Sequence, residues 1–364
     1  MERPTIDHRG PDFPELTFEV LEGLKWIFGT NESVVIFPSS GTGAWEAAMV
    51  NTMSPGDRMV VFETGQFAVE WAEVARRLGL QVDVVPGDWR RGADPARLAE
   101  LLAEDSGHTI KAVAVVHNET ATGVVSRVPE VRAALDAAGH PALLLVDAIS
   151  SLGCVEVLHD EWRVDVTLSG SQKGMMLPPG LSFNAISAKA KEASRAAKLP
   201  RSYWDWDRMF SWYDKGYFPY TPATNLLVGL REALQMMREE GLENIYKRHR
   251  HYGEATRKAA AVWGLEVQCL EPAEVSPVLT AIRMPEGHDA DRFRALTYRR
   301  YNMSLGAGLG RLKGIAFRIG HLGDFNDLML LATLAGVESG LALAGVPIER
   351  GGVDAAMRHL ESVP

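Results

Sequence analysis

Two residues of this chain have the types and surroundings that could hold an aldehyde cofactor. Asp147 closes the apolar run Leu143-Leu144-Leu145-Val146, and Lys173 follows in the small-residue turn Ser169-Gly170-Ser171-Gln172-Lys173-Gly174. A deprotonated lysine amine condenses with an aldehyde and can then shuttle protons. Burial favours that neutral amine by disfavouring its charged form. A carboxylate at the end of a buried strand is costly unless it is paired. A protonated pyridine nitrogen would pair it, and a ring kept in that state accepts electrons from a carbanion. The pair therefore points to pyridoxal phosphate. Taken singly, Lys173 reads as a solvated loop residue and Asp147 as a cap for the next helix.

Four further segments could complete such a site. Ser39-Ser40-Gly41-Thr42-Gly43-Ala44 follows an apolar run and opens a helical pattern. Small residues let backbone N–H groups approach a phosphate, and a helix N-terminus adds a favourable dipole. The segment lacks the glycine and lysine spacing of a nucleotide P-loop, so a structural turn is the other reading. Phe67, in Gly65-Gln66-Phe67, could stack on a flat ring or simply fill the core. His117-Asn118-Glu119-Thr120 places four polar groups after an apolar run, as cofactor or substrate contacts or as a plain polar loop. Arg318 lies in Ala316-Phe317-Arg318-Ile319-Gly320-His321-Leu322-Gly323. Its planar fork matches a carboxylate, with a structural ion pair as the alternative. His321 reads as a turn residue or a substrate contact.

These residues need a frame that brings distant segments together. From about residue 10 to 200, short apolar runs alternate with amphipathic stretches. The runs are Val34–Phe37, Arg58–Phe62, Val82–Val85, Ala112–Val116, Leu143–Val146 and Val164–Leu168. The stretches are Gly43–Met53, Ala68–Leu78, Asp94–Glu104 and Val128–Ala138. Near-continuous apolar strands alternating with helices predict an α/β fold with a mostly parallel sheet covered on both faces. Its ligands are expected beyond the carboxyl ends of the strands, where the candidates fall.

After about residue 200 the pattern changes. Tyr203–Tyr220 is aromatic-rich and irregular. A helix is expected from about Pro222 to Glu240, with Leu226, Leu230, Leu234 and Met237 on one face. A second is expected from Leu242 to Trp263, and a last from about Phe325 to Ala344, with strands at Leu279–Arg283 and Phe317–Ile319. The expected division is a large domain over residues 1–240 and a small α+β domain over 241–364.

The bulk composition sets limits. A chain of 364 residues is long enough for two domains. The net charge of −9 gives no basic footprint for nucleic acid. Two cysteines, Cys154 and Cys269, exclude a disulfide framework and fit a reducing compartment. No apolar run approaches the roughly 18 residues of a membrane helix. The start Met1-Glu2-Arg3-Pro4-Thr5 lacks the apolar segment of a secretion signal, so the cytoplasm is the expected location.

With these motifs the chain resembles the class V aminotransferases of pyridoxal-phosphate fold type I, above all the serine–glyoxylate aminotransferase group with its alanine– and aspartate–glyoxylate relatives. The resemblance is carried by Pro4–Pro11, Pro38–Gly43, His117–Gly123, Val146–Ser151, Gly170–Gly174, Leu177–Gly180 and Phe317–Gly323, and covers essentially the whole chain. It implies Thr42, Gly43, Gln172 and, from a partner subunit, residues equivalent to Tyr217 and Thr221 around the phosphate. Ala44 and Ile149 join the cofactor-binding set. Phe67 would lie on the ring face, Thr120 at the phenolic oxygen, Asp147 at the ring nitrogen, Lys173 at the aldehyde and Arg318 on the substrate α-carboxylate. The implied reaction moves an amino group from serine to glyoxylate in a homodimer acting on small amino and oxo acids. Alanine, aspartate or pyridoxamine are alternative donors. A cysteine desulfurase and a non-catalytic cofactor-binding homologue are rival readings.

Two departures bear on the pocket. Relatives carry a Gly-Pro-containing segment ahead of Arg3-Pro4-Thr5, which Met1 here almost directly precedes, so either a later-placed start or a missing piece of the pocket is expected. The run Arg311–Ala316 ahead of Arg318 is also altered.

Overall fold

Strands that are apolar at every position need cover on both faces, and the alternating helices supply it. A computed structural model describes residues 4–362. Met1–Arg3, the first part of the segment read above for a secretion signal, lie outside the described residues. The main sheet holds β1 (Ser33–Ser39), β2 (Arg58–Phe62), β3 (Gln81–Val85), β4 (Ile110–Val116), β7 (Leu143–Asp147), β8 (Val166–Gly170) and β9 (Gly180–Ile186). A two-residue hairpin, β5 (Asn118–Glu119) and β6 (Val124–Val125), stands apart from it.

The strand order is β1-β9-β8-β7-β4-β2-β3. Only β9 runs against its neighbours, so the sheet is mostly parallel. Along the central strands β2, β4 and β7, alternate residues enter different cores. Val61, Leu145, Leu168 and Phe183 face one apolar layer, with α1 (Phe13–Phe28), α2 (Gly41–Thr52) and α3 (Gln66–Arg77). Val60, Phe62, Val113, Leu144 and Val146 face the other, with α4 (Pro95–Glu104) and α5 (Val128–Ala137). That two-sided demand is why β4 and β7 read as near-continuous apolar runs.

The first layer also takes α6 (Ala188–Ala196), α7 (Trp206–Tyr213) and α8 (Thr224–Glu240). The aromatic segment is thus partly helical: Asp205 caps α7 by accepting the Arg208 N–H at 3.2 Å. On α8, Leu230, Leu234 and Met237 are buried as expected, while Leu226 is half-buried and Leu227 is buried in its stead.

Helix α9 (Leu242–Val262) bridges two cores: Ile245 and Tyr246 pack in the first layer, whereas Tyr252, Ala255 and Ala259 belong to a second cluster. That cluster is closed by α10 (Ala290–Tyr301), α11 (Asp327–Leu343) and α12 (Gly352–Glu361). They pack on an antiparallel sheet of β10 (Leu279–Arg283), β11 (Gly306–Ala307) and β12 (Ala316–Gly320), in the order β10-β12-β11. Among the described residues no helix is long and apolar enough to cross a membrane.

Candidate active site

In a parallel sheet the chain turns that follow β1, β2, β4, β7 and β8 all emerge at one edge. Register aligns them: Val116 pairs with Asp147, and Asp147 with Leu168. Beyond that edge lies a cavity of about 180 Å³, lined by Ser40, Gly41, Thr42, Trp45, Phe67, Val116, Asn118, Thr120, Asp147, Ile149, Gln172 and Lys173. Seven of the residues singled out in the sequence therefore meet in one place: Thr42, Phe67, Thr120, Asp147, Ile149, Gln172 and Lys173. A larger hollow of about 520 Å³ beside α10 is lined only by residues of the smaller core region and lies away from the strand ends.

Asp147 is buried, yet it is no helix cap. Its Oδ2 accepts the indole N–H of Trp45 at 2.8 Å, and its Oδ1 accepts the backbone N–H of Ile149 at 2.8 Å. Burial pushes its pKa up to about 6, against those two donors and the nearby Lys173. Trp45 stacks at 5.8 Å on Trp71, which fixes the indole plane. Sequence reasoning missed Trp45. Its signal was its place on the first helical turn after Gly41, where a buried indole N–H needs an acceptor.

Lys173 leaves the end of β8 and is half-buried. Burial lowers its pKa, and the neighbouring Arg318 cation lowers it further, while Asp147 opposes both. The turn is tight behind it. A Cβ on Gly174 would collide with the carbonyl oxygen of Leu152 and stand 2.7 Å from Cys154 Sγ, so only glycine lets the lysine turn sit against that segment.

The turn after β1 leads into α2, whose N-cap Ser40 makes no side-chain capping bond. The first-turn N–H groups of α2 are therefore not taken up by a capping side chain, and they open at the cavity. A Cβ on Gly41 would collide with the Ile149 side chain, which shows how closely this turn meets the Asp147 loop. Gly43 packs against Ser39 and Trp204, and Ala44 is buried in the core with its carbonyl accepting Asn184 Nδ2 at 3.2 Å. Neither residue is part of the cavity lining.

The four polar residues after β4 divide their work. His117 is buried against Trp162 and pairs with Ser151 Oγ at 2.9 Å; burial lowers its pKa to about 4. Asn118 and Thr120 both donate to Ser150 Oγ, at 2.8 and 2.9 Å. Glu119 turns away from the cavity and accepts the backbone N–H groups of Phe67, Ala68 and Ala121 at 3.4, 3.2 and 3.0 Å. It thus holds the first turn of α3, which carries Phe67. Burial raises its pKa to about 7.

Arg318, on β12, reaches toward the rim. Its Nε donates to Ala307 O at 2.7 Å and its Nη1 donates to Thr120 O. Among the described residues its Nη2 donates to no protein group. His321 is fully buried, paired with Thr280 Oγ1 at 3.1 Å and outside the cavity. Tyr217 packs on Phe13, Thr221 is exposed, and neither lines the cavity of its own chain.

This layout, with a lysine and a carboxylate at the carboxyl ends of a mostly parallel sheet, is that of the fold type I enzymes that use pyridoxal phosphate. The chain belongs to the class V aminotransferases: the family model described as aminotransferase class-V matches residues 7–309. It is thereby a pyridoxal-phosphate-dependent transaminase. It is 49% identical to a serine–glyoxylate aminotransferase of Methylorubrum extorquens, over 98% of this chain and 91% of that protein. It is 44% identical to an L-aspartate–glyoxylate aminotransferase of Paracoccus denitrificans, over 99% and 91%. A solved ureidoglycine–glyoxylate aminotransferase of Bacillus subtilis superposes with a TM-score of 0.92 at 26% identity, over 99% of this chain and 93% of that one.

Proposed function

We propose that this enzyme moves the amino group of serine to glyoxylate, giving hydroxypyruvate and glycine, with alanine, aspartate or pyridoxamine as the alternative donors. The reading is carried by the meeting of Lys173 with buried Asp147 in one cavity, with the Arg318 fork at its rim. The names of the relatives supply the choice of substrates.

The residues fit pyridoxal phosphate. An uncapped helix N-terminus suits the phosphate, with the Thr42, Gly43 and Ala44 backbone and Gln172 around it. Asp147, raised by burial, is a carboxylate that gains from a cationic ring nitrogen. Phe67 would cover one face of the ring, and Asn118 and Thr120, set by Ser150, would meet the phenolic oxygen. Ile149 closes the wall beside Asp147. When bound, the cofactor supplies an aldehyde that takes the amino group and a ring that spreads the electrons of the broken substrate Cα–H bond. Lys173 Nζ then carries the proton leaving Cα, a task its depressed pKa suits. Arg318 orients donor and acceptor through the α-carboxylate they share.

Exposed Thr42 leaves the phosphate turn open to solvent. That opening supports a homodimer in which Tyr217 and Thr221 of one chain complete the site of the other. Mixing inactive Lys173→Ala chains with inactive Tyr217→Ala/Thr221→Ala chains should then restore part of the activity. A chain that scatters light as a monomer at micromolar concentration would end the shared-site idea. Two free, buried cysteines support a cytoplasmic location, which cell fractionation tests. They also weigh against a desulfurase, since burial raises Cys154 to about 12 and Cys269 to about 11, far from a reactive thiolate.

The test is a donor panel: cofactor absorbance of the holoenzyme read against serine, alanine, aspartate and pyridoxamine. Serine is expected to give the fastest change, and silence with every donor would leave only a cofactor-binding protein. In the same assay Arg318→Ala should raise the apparent KM for serine and glyoxylate together. Losing a bidentate contact in a dry pocket costs roughly 2–5 kcal/mol, at least about 30-fold. Arg318→Lys, which keeps the charge and loses the fork, should also be impaired. A rise for one substrate alone would place the clamp elsewhere.

A further inference from the structure

Far along the chain from the cofactor site, two helices of the smaller core region bring together the donor set of a metal ion. We infer that His251, Glu254 and His359 form a binding site for a divalent transition metal of the zinc type, tying α12 to α9. His251 and Glu254 are three residues apart on α9, so they share one face. His359 comes from the last turn of α12. One donor atom from each residue lies within 4.8 Å of the other two. His359 Nε2 stands 3.2 Å from Glu254 Oε2, and the rings of His251 and His359 lie 4.5 Å apart, tilted by 38°.

Ordinary pairing does not explain this geometry. Although the carboxylate is close, His359 Nε2 is buried and makes no hydrogen bond, because the two atoms are misaligned for one. If Nε2 is bare, its lone pair faces a carboxylate and repels it. If it carries a proton, that N–H meets the carboxylate only off-axis, short of a hydrogen bond. A cation between them takes up the bare Nε2 lone pair and the carboxylate charge together. Ligands about 2.0–2.2 Å from a tetrahedral metal lie roughly 3.3–3.6 Å from one another; the His359–Glu254 pair stands close to that spacing, and the His251 donor lies within 4.8 Å of both.

The donor types choose the metal. Two imidazoles and one carboxylate suit zinc and its neighbours, whereas magnesium and calcium take oxygen ligands. An open cavity of about 420 Å³ borders His359, lined also by Lys258, Ala355 and Ser362, and gives room for water as the fourth ligand. The charges on this face are mixed. Arg358 is engaged by Asp354, while Lys258 acts on His359 and works against a cation. The role is a brace: α12 already packs so closely on α9 that a Cβ on Gly352 would collide with the Trp263 ring that follows that helix.

The full-length holoenzyme, dialysed against a chelator, should bind one Zn²⁺ per chain by calorimetry, and its thermal midpoint should rise on Zn²⁺ addition. His359→Ala and Glu254→Gln should each weaken binding at least ~10-fold, the lower range for losing even a group that supports a ligand. His251→Ala, on the same face of α9, serves if His359→Ala does not fold. Co²⁺ in place of Zn²⁺ should give a visible absorption band that the variants lose. No saturable Zn²⁺ binding, or unchanged affinity in all three variants, overturns the site.

Discussion

Lys173→Ala is expected to abolish turnover with serine and glyoxylate, lowering it by at least ~10⁴-fold. General acid–base transfer alone is worth roughly 10²–10⁴, and here the same amine is also the nucleophile that meets the aldehyde. The magnitude follows from the setting of the side chain. Burial and Arg318 push its pKa down, which raises the share of neutral amine, and Asp147 alone pulls the other way. No other lysine lines the cavity. Borohydride reduction of the wild-type holoenzyme followed by peptide mapping should place the pyridoxyl group on Lys173. Initial rates of the variant should recover in part when a small primary amine is added, which separates a lost amine from a lost fold. Label on a different lysine, or a variant with appreciable unaided turnover, removes Lys173 from its role.

The parallel strands were readable because burial on both faces forces an unbroken apolar run, as in Leu143–Val146. Strand β9 escaped notice for the opposite reason. It reads Gly-Leu-Ser-Phe-Asn-Ala-Ile, and its buried Ser182 and Asn184 break the run. Asn184 Nδ2 donates to the Ala44 carbonyl on α2, a partner 140 residues away that no local pattern can reveal. Helices α1, α6, α10 and α12 were also passed over. On α1 the buried Phe13, Leu16, Val20 and Leu24 recur at helical spacing, so that signal was present. On α10 only Ala290, Phe293 and Thr297 are buried, and its apolar stripe is too thin to stand out.

Within the site, the residues legible in the sequence were those at strand ends, because an open α/β sheet gathers strand ends at one edge. The groups that orient them were not. Trp45 fixes Asp147 from a helix 102 residues earlier in the chain. Ser150 sets Asn118 and Thr120, and Glu119 was grouped with possible cofactor contacts although it holds the first turn of α3. These assignments depend on where side chains point once the sheet has formed, and spacing along the chain does not encode that. Tyr217 and Thr221 pose the same difficulty one level higher, since their proposed place is in a second chain.

Asp147→Asn keeps size and shape but removes the charge, and it is expected to cost about 10²–10⁴ in turnover with the fold preserved. Both carboxylate oxygens now accept N–H donors, from Trp45 and from the Ile149 backbone. An amide can offer an oxygen to only one of them and turns an NH₂ toward the other, so the variant also loses a hydrogen bond. The charge itself is exposed by pH. In the chain without cofactor, burial holds Asp147 at about 6, above the ordinary carboxylate value. The folded state therefore keeps this proton longer than the unfolded chain does, and its contribution to stability is lost as pH rises from about 4 through about 6. Cofactor binding has the opposite sign, because a cationic ring nitrogen favours the ionised carboxylate. Wild-type affinity for pyridoxal phosphate should fall as pH drops through about 6, and that step should be missing from Asp147→Asn. Fluorescence titrations of both proteins across this range make the comparison. Near-normal turnover in the variant, or the same step in both proteins, would show that Asp147 does not carry the ring nitrogen.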